Sequence, residues 1–330
     1  MKLRAISLIR DEIDIIGLFL KHIDALFDEI ILLDHQSMDG TTELLRQAVA
    51  QRPSWKYYRV DIKQKFQKQL MNFFIQRFGA DEFDYLFFLD GDEFFWVKDR
   101  RSLEELLTNT HSESGVYAFK WFNSITKNLG SLKPLDKNNH LIVSNEPGGW
   151  QKIVVNWKRI DTGDFCVKEG NHEAYYLDGQ VYPNTVIGKI LHIPIRSRHQ
   201  FTSKGLLTHC SLLLEANRTP GYSFQFNNFV QRIAKNSLSD AELMRCMYYY
   251  QIANDPIPPN WEKDFLSQCT VQKISKMGVA FSDRLKLKFP KHVPSIEQRI
   301  ANALLNGNIL DPNACRILLK DETISIDTIA

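Results

Sequence analysis

A cluster of acidic residues directly follows a short apolar run near residue 90. Residues 85–89 are apolar, Asp90, Asp92 and Glu93 crowd around a single glycine, and an aromatic run follows. Carboxylates this close repel one another and are costly to desolvate, so a positive partner is expected beside them. Oxygen ligands of this type suit Mg²⁺ or Mn²⁺, which keep coordination positions for substrate phosphates. The cluster therefore predicts a divalent-metal site, and the alternative is an acidic surface turn.

Alternating strands and helices are predicted ahead of this cluster. Continuous apolar runs indicate buried strands, and apolar residues at helical spacing indicate the connecting helices. The predicted strands are residues 3–9, 29–34, 55–60 and 85–90, and the predicted helices are residues 15–27, 42–49 and 63–78. Such alternation predicts a doubly wound, mostly parallel sheet that binds ligands at the carboxyl ends of its strands.

The turn after the first strand argues against a dinucleotide-binding fold. That fold needs a Gly-x-Gly-x-x-Gly spacing so that a pyrophosphate can approach the helix N-terminus. Arg10, Asp11 and Glu12 occupy the turn here, and its two acids would repel a pyrophosphate. Acidic side chains at the ends of the first two strands suit ribose hydroxyls or base N–H groups instead.

Three segments taken together resemble the family 2 glycosyltransferases of the GT-A fold. They are residues 9–12, residues 33–41 and residues 88–94, and the last carries an Asp-x-Asp-Glu-Phe signature. The resemblance implies a mixed, mostly parallel sheet flanked by helices, with a helical C-terminal region. It also implies a nucleotide-diphospho-sugar donor, a divalent metal (Mn²⁺ or Mg²⁺) and sugar transfer with inversion. The family usually has Asn-Glu where this chain has Asp11 and Glu12.

The same resemblance assigns roles to individual residues. Metal ligation is expected from Asp92, with Asp90 and a late histidine, His192, completing the site; the alternative for His192 is a hydrogen-bonded core residue. The expected donor-binding residues are Arg10, Asp11, Glu12, Asp34, Ser37, Asp39, Asp90 and Arg196. Arg196 lies with Arg198 and Lys204 just beyond His192, where cations could neutralise a leaving diphosphate or start an exposed basic helix.

An inverting displacement also needs a base within hydrogen-bond reach of the acceptor hydroxyl. His172 and Glu173 lie on a predicted turn and are the candidate catalytic residues. A solvated turn carboxylate is the alternative for Glu173. Further rival bases are Asp164, Glu146 and Glu169.

The predicted organisation has a GT-A domain over residues 1–200 and a helical C-terminal region over residues 201–330. Residues 1–110 form the nucleotide-sugar half of the domain and residues 111–200 its acceptor half. Residues 127–149 are polar and rich in glycine and proline, which predicts a long loop that is disordered or acts as a lid. The predicted C-terminal helices include residues 201–214, 226–234 and 240–252.

Composition narrows the class of protein. The 330 residues are 44% hydrophobic and 24% charged, as in an ordinary globular protein, and the formal net charge of +2 argues against a strongly basic nucleic-acid binder. Five scattered cysteines without a Cys-x-x-Cys pair favour free thiols in a reducing, cytoplasmic compartment. No apolar stretch reaches the roughly 18 residues that a membrane span needs.

A basic segment near the C-terminus leaves one further expectation. Its residues Arg284, Lys286, Lys288, Lys291 and His292 alternate with apolar side chains. They could meet an anionic membrane surface peripherally, or an acidic glycan, and the alternative is a solvated face. The expected partners are the donor and a glycan or lipid-linked saccharide acceptor. Two other functions stay open: an Asp-x-Asp phosphohydrolase and a non-catalytic binder of nucleotide-sugars or glycans.

Overall fold

The computed structural model describes residues 1–61, 67–78, 82–131, 133–213, 239–252, 261–291, 293 and 326–329. The predicted helix over residues 226–234 lies outside this described part, as do residues 63–66 and His292. Among the described helices, none combines the length and apolar character needed to cross a bilayer.

The strands and helices follow one another in the predicted alternation over the first half of the chain. The strands are β1 Leu3–Ile9, β2 Glu29–Asp34, β3 Trp55–Val60, β4 Tyr85–Asp90, β5 Glu93–Phe95, β6 Val116–Thr126, β7 His140–Ser144, β8 Gln151–Asn156, β9 Phe165–Val167, β10 Ala174–Tyr176, β11 Thr185–Ile195, β12 Cys269–Lys273 and β13 Ile326–Ile329. The α-helices are α1 Ile16–Leu26, α2 Thr41–Ala50, α3 Gln67–Phe78, α4 Arg100–Asn109, α5 Arg198–Leu213, α6 Asp240–Ile252 and α7 Trp261–Ser267.

One large mixed sheet organises these elements. Its strand order is β12-β7-β6-β8-β4-β1-β2-β3-β13, and β11 pairs with both β6 and β5 beside this path. Strands β4, β1, β2 and β3 are parallel, whereas β8 is antiparallel to both β4 and β6. The predicted mixed sheet flanked by helices is confirmed.

The order of the parallel strands creates a crevice beside β1. The chain moves from β1 through β2 to β3 on one side and then returns to β4 on the other side of β1. Strands β6 and β11 run in the same direction as β4, because β8 is antiparallel to β4 and β6 while β11 is parallel to β6. The carboxyl ends of β1, β4, β6 and β11 therefore meet at one edge, at the position where open α/β sheets bind ligands.

Apolar side chains on both faces of the sheet explain why β4 is central. Phe87 packs with Phe19 of α1 and Leu44 of α2, and Phe88 packs on the opposite face with Leu70 and Phe74 of α3. Both phenylalanines of β4 are fully buried. Successive side chains of a strand point to opposite faces, so a continuous apolar run fits a strand covered on both sides.

The predicted lid over residues 127–149 is wrong in one respect, because it contains a strand. Strand β7 pairs with β6 and with β12, and Leu141 and Val143 are buried in the core. The strand is short and polar residues flank it on both sides. Its alternating pattern was therefore too short to predict a strand within a polar segment. Strand β8 ends at Asn156, where the Arg159 N–H donates to the Asn156 carbonyl at 3.1 Å and turns the chain.

The C-terminal region contributes more than helices. After β12, residues 277–290 form an extended strap that lies along the N-terminal half. The Ala280 N–H donates to the carbonyl of Val97 at 2.9 Å, and the Ser282 N–H donates to that of Lys21 at 2.8 Å. A Cβ on Gly17 would meet the ring of Phe289 at 2.7 Å, so a glycine is needed there for the strap to approach.

The basic part of this strap shows the predicted alternation. Leu285 is buried and the flanking Arg284 and Lys286 are exposed. The Lys286 N–H donates to the Gln51 side chain at 2.9 Å, and Arg284 pairs with the buried Asp24 at 3.2 Å. These contacts tie the strap to α1 and to the residue that follows α2.

A buried histidine joins α1, β5 and the strap. His22 is fully buried; its Nε2 accepts the Phe95 N–H at 2.9 Å, and its Nδ1 lies 2.9 Å from the Ala280 carbonyl oxygen, to which it donates. Burial lowers the pKa of His22 from its ordinary value of 6.5 to about 4, and the hydrogen bond to Ala280 opposes this only partly. His22 is therefore neutral in the folded protein at neutral pH.

We predict that His22 makes stability sensitive to acid. The unfolded chain binds a proton to His22 below pH 6.5 and the folded chain does not until about pH 4, so the free energy of unfolding falls as the pH falls between these values. The loss from this one group is about 2 kcal/mol between pH 7 and pH 5. Urea denaturation at both pH values should show a smaller loss in His22→Gln than in the wild type. The control His111→Gln, at an exposed histidine, should keep the wild-type loss. Equal losses in wild type and His22→Gln would contradict the prediction.

Candidate active site

The loops that follow β1 and β2 are bonded to each other at the crevice. The Asp11 N–H donates to Ser37 Oγ at 3.0 Å, and the Met38 N–H donates back to Asp11 Oδ1 at 2.7 Å. The Ile13 N–H donates to Asp39 Oδ2 at 3.0 Å. Asp11 has a φ of 51°, a left-handed conformation that aspartate tolerates better than most residues. Asp11, Ser37 and Asp39 therefore shape the wall of the crevice.

Two of the predicted donor-binding carboxylates form hydrogen bonds that hold these two loops together. Asp34 is fully buried and accepts hydrogen bonds from the Ser37 N–H at 3.0 Å, from Thr42 and from the Tyr57 hydroxyl at 2.9 Å. Asp39 is also fully buried, and burial followed by the charge of Asp11 raises its pKa to about 7. Both side chains therefore hold the loops in place from the buried side.

A lysine that the sequence reading did not single out holds the first acidic residue. Lys152 of β8 is fully buried, and its ammonium lies 2.6 Å from Asp90 Oδ2, 3.3 Å from Glu93 Oε2 and 2.8 Å from the carbonyl oxygen of Gly170. Gln67 donates to the other oxygen of Asp90 at 2.9 Å. We call Asp90, Glu93 and Lys152 the Lys152 cluster.

Asp92 belongs to a second group, the Asp92 cluster, formed with Glu12, Asp14, Arg196 and Lys204. Asp92 is 2% exposed, and its Oδ2 lies 2.6 Å from the Lys204 ammonium and 3.5 Å from the Arg196 guanidinium. Arg196 also pairs with Glu12 and, at 2.7 Å, with Asp14. Residues from the β1–α1 loop, the β4–β5 turn and the start of α5 are thereby joined.

His192 lies on β11, the middle one of three neighbouring strands, and faces Asp92. Its position on β11 is paired with Glu93 of β5 and with Asn123 of β6. The ring stacks on Trp121 with a centroid separation of 3.9 Å, and Nδ1 lies 2.8 Å from Asn123 Oδ1. Because that amide oxygen can only accept, Nδ1 carries the proton and Nε2 keeps a lone pair. This Nε2 lies 3.8 Å from Asp92 Oδ1.

Burial and charge act against each other in the two clusters. Burial opposes ionisation of Asp92, but Lys204, His192 and Arg196 together hold its pKa well below the ordinary value. Burial raises the pKa of Glu12 to about 7, although the charges of Arg196 and Lys204 act to lower it. Burial also raises the pKa of Glu93 well above its ordinary range, although the charge of Lys152 acts to lower it. Burial also lowers the pKa of His192 to about 3, so His192 is neutral at pH 7.

The formal charges of the two clusters do not cancel. Asp90, Glu93, Asp92, Glu12 and Asp14 supply five carboxylates, against the three cations of Lys152, Arg196 and Lys204. With neutral His192 and every carboxyl counted as ionised, the surplus is at most two negative charges, the charge of one divalent cation; protonation of Glu93 and Glu12, whose pKa values are raised, reduces it.

The donor atoms at Asp92 fit such a cation. A carboxylate oxygen and an imidazole lone pair face each other at 3.8 Å, and both are electron-pair donors that repel unless a cation lies between them. Among the described residues, no three His, Cys, Asp or Glu side chains gather as one ligand set. The protein can therefore supply Asp92 and His192 as ligands, and phosphate and water oxygens would complete the coordination.

The predicted site residues are thus only partly brought together. Asp92 and His192 face each other, and Arg196 and Glu12 join them, whereas Asp90 contacts Lys152 and Gln67 instead. Arg10 lies at the mouth with its side chain 23% exposed, 4.0 Å from the Asp11 carboxylate.

The two predicted bases lie on the turn between β9 and β10. Glu173 accepts from the Tyr175 hydroxyl at 2.6 Å and pairs with Lys168 at 3.1 Å; the Tyr175 bond, with Lys168, lowers its pKa. His172 donates from Nδ1 to the Gln151 carbonyl at 2.7 Å. Its ring contacts Trp121 at 5.0 Å and Trp150 at 4.8 Å. An unbroken series of ring contacts thus runs from His192 to Trp150, which is 43% exposed.

A cavity of about 690 Å³ adjoins the Asp92 cluster and shares Asp14 and Arg196 with it. Its wall on the nucleotide side is formed by Asp11, Ile13 and Asp39. Amide and hydroxyl side chains line the rest, among them Thr126, Asn128, Ser131, Asn138, Asn139, Ser197, Gln200 and Ser203. A cavity of this size, in which hydroxyl and amide groups alternate with apolar surface, can hold a small organic ligand.

Residues 11–144 match the family model described as glycosyl transferase family 2. The match confirms the predicted resemblance over that segment, and with the mixed sheet it supports a GT-A type of fold and a glycosyltransferase. The matched segment contains Asp34, Asp90 and Asp92, whereas Lys152, His192, Arg196 and Lys204 follow it in the chain. A comparison with curated proteins finds no match.

Three residues of the site were missed from the sequence. Lys152 is a lysine inside an apolar strand, and a buried cation facing crowded carboxylates was the signal that could have found it. Trp121 and Asn123 belong to the aromatic strand β6, whose register against β11 brings them to His192. The sequence alone does not give that register.

We predict that removing the buried cation is strongly destabilising. Lys152→Met leaves Asp90 and Glu93 buried without their counter-ion, which should lower the free energy of unfolding by about 3 kcal/mol at pH 7. The matched control is Lys158→Met. Lys158 pairs with Asp84 at 2.5 Å but its side chain is 72% exposed, so stability should hardly change. Guanidinium denaturation of both variants measures the difference. Similar small losses would show that Lys152 does not stabilise the acidic strand end.

Proposed function

We propose that the chain is a metal-dependent, inverting glycosyltransferase that moves a sugar from a nucleotide diphosphate donor to a hydroxyl of a glycan acceptor. The observation that carries the proposal is the facing pair of ionised Asp92 and neutral His192 at the crevice of the sheet. A diphosphate brings further negative charge, so such a site can take a donor only together with a cation. The family 2 match over residues 11–144 supports the reaction class.

Asp92 and His192 are the proposed ligands of a Mn²⁺ or Mg²⁺ ion. When bound there, such an ion supplies Lewis-acid stabilisation of the departing diphosphate. Arg196 is held rigidly by Glu12 and Asp14, so its charge is preorganised beside the same position.

The proposed nucleoside site is the wall formed by the two bonded loops. Arg10 and Asp11 are at the mouth, and Asp34, Ser37 and Asp39 fix the loop backbone behind them. Asp90 keeps one face toward solvent while Lys152 and Gln67 orient it, which suits a contact to ribose hydroxyls.

His172 is the proposed base in preference to Glu173. The hydrogen bonds that lower the pKa of Glu173 weaken it as a proton acceptor. In His172 the Gln151 carbonyl fixes the proton on Nδ1, so the lone pair of the neutral ring is on Nε2. The exposed face of Trp150 beside it offers an apolar surface to the C–H face of an acceptor sugar ring.

The polar cavity is the proposed entrance for the acceptor glycan. Most of its lining comes from residues 126–140 and 196–203, which follow the nucleotide-binding half of the sheet. Lys127 and Lys133 bring positive charge to the part of this lining away from Asp11, Asp14 and Asp39 in the sequence, where an acidic group of an acceptor could be bound.

We predict that Asp92→Asn abolishes both transfer and metal binding. The variant keeps the size of the side chain and removes the charge that attracts the cation. Thermal unfolding with a panel of nucleoside diphosphates and nucleotide-sugars, with and without Mn²⁺, should show a metal-dependent rise in Tm for the wild type only. The control Asp178→Asn, at an exposed turn, should behave as wild type. Wild-type transfer in excess EDTA would refute the metal role.

We predict that narrowing the cavity separates acceptor use from donor use. Ser131→Trp places a large side chain in the cavity wall, away from the Asp92 cluster. Transfer should fall by at least about tenfold, because a misplaced acceptor loses its alignment with the donor. The donor-induced rise in Tm should remain. Thr108→Trp, at an exposed position of α4, is the control. Loss of the donor-induced shift in Ser131→Trp would place the donor in this cavity instead.

A further inference from the structure

Lys204 occupies the same carboxylate that the proposed metal would use. Its ammonium lies 2.6 Å from Asp92 Oδ2 and 3.4 Å from Glu12 Oε1. Lys204 contacts Oδ2, whereas the proposed metal would bind Oδ1, which faces His192. A divalent ion and an ammonium on the two oxygens of one buried carboxylate repel each other strongly, because the effective dielectric constant there is low. A divalent ion at Asp92 must therefore displace Lys204 or bind against it.

The two cations of the Asp92 cluster differ in how firmly they are held. Arg196 is 2% exposed and bonds to Glu12, twice to Asp14 and to the carbonyl of Ile193. Among the described residues, Lys204 forms ion pairs with Asp92 and Glu12, and its side chain is 31% exposed. Lysine carries a compact charge on a flexible four-carbon stem, so it can relocate where a forked arginine cannot. Lys204 is the mobile cation of this pair.

The geometry points to Lys204 as an exchangeable counter-ion that competes with the divalent cation for Asp92. This inference rests on the proposed function. We propose that Lys204 leaves Asp92 when the cation binds there and contacts the donor diphosphate instead. Lys204 thereby weakens binding of the metal alone and strengthens binding of metal and diphosphate together. Such coupling is reciprocal, so the diphosphate must raise the affinity for metal by the same factor as the metal raises that for diphosphate.

Mn²⁺ affinity measured by isothermal titration calorimetry tests the competition without any acceptor or turnover. We expect Lys204→Met to bind Mn²⁺ alone at least about tenfold more tightly than wild type, since the competing charge is gone. Lys204→Arg keeps a cation at the position and should not show this gain. Asp92→Asn should lose the site in every background. Thermal unfolding of each variant verifies that it is folded.

The second arm adds uridine or guanosine diphosphate to the same titrations. We expect the diphosphate to increase Mn²⁺ affinity by a larger factor in wild type than in Lys204→Met. Only the wild type has a Lys204 ammonium that can move from Asp92 to the diphosphate. Equal or weaker Mn²⁺ binding in Lys204→Met, with binding in wild type that Asp92→Asn abolishes, would overturn the exchange while leaving the metal site in place. No Mn²⁺ binding in any variant would overturn the metal-dependent function as well.

Discussion

The structure depends on a crowded set of buried carboxyl groups at one edge of a sheet. Five carboxyl groups share three cations there, and Asp92 and Glu93 are almost completely removed from water. Desolvated carboxylates are tolerated only with positive partners, so the buried Lys152 and Arg196 are as necessary as the acids themselves. Asp92, which stays ionised beside the neutral His192, is the group that we propose receives a cation and, with it, a phosphorylated ligand.

The topology explains why distant residues supply these partners. The order in which strands are added to the sheet reverses between β3 and β4, and this opens the crevice beside β1. The long strand β11 returns to that edge about one hundred residues after the acidic turn. Strand β11 lies between β5 and β6, so a single register fixes His192 against Asn123 and opposite Asp92. The start of α5 then places Arg196 and Lys204 on the far side of the same carboxylate.

Much of the nucleotide half could be predicted from the sequence. The first four strands have the predicted bounds, because each is a continuous apolar run with polar punctuation. Asp92 and His192, two of the expected metal ligands, face each other in the structure, and their role stays a prediction. The separation of Asp90 from that pair could not be predicted, because it depends on Lys152 reaching it from the antiparallel strand β8. Strand β7 was not predicted for the same reason, because pairing between distant segments, rather than local pattern, makes it a strand.

The position of the cation is the claim on which the chemistry rests. The most direct measurement is a crystal structure with Mn²⁺ and a nucleoside diphosphate, with anomalous scattering recorded at the manganese edge. A single anomalous peak about 2.1 Å from both an Asp92 carboxylate oxygen and His192 Nε2, with Lys204 moved to the diphosphate, is the expected result. A peak elsewhere, or a diphosphate bound without manganese while Lys204 stays on Asp92, would contradict it.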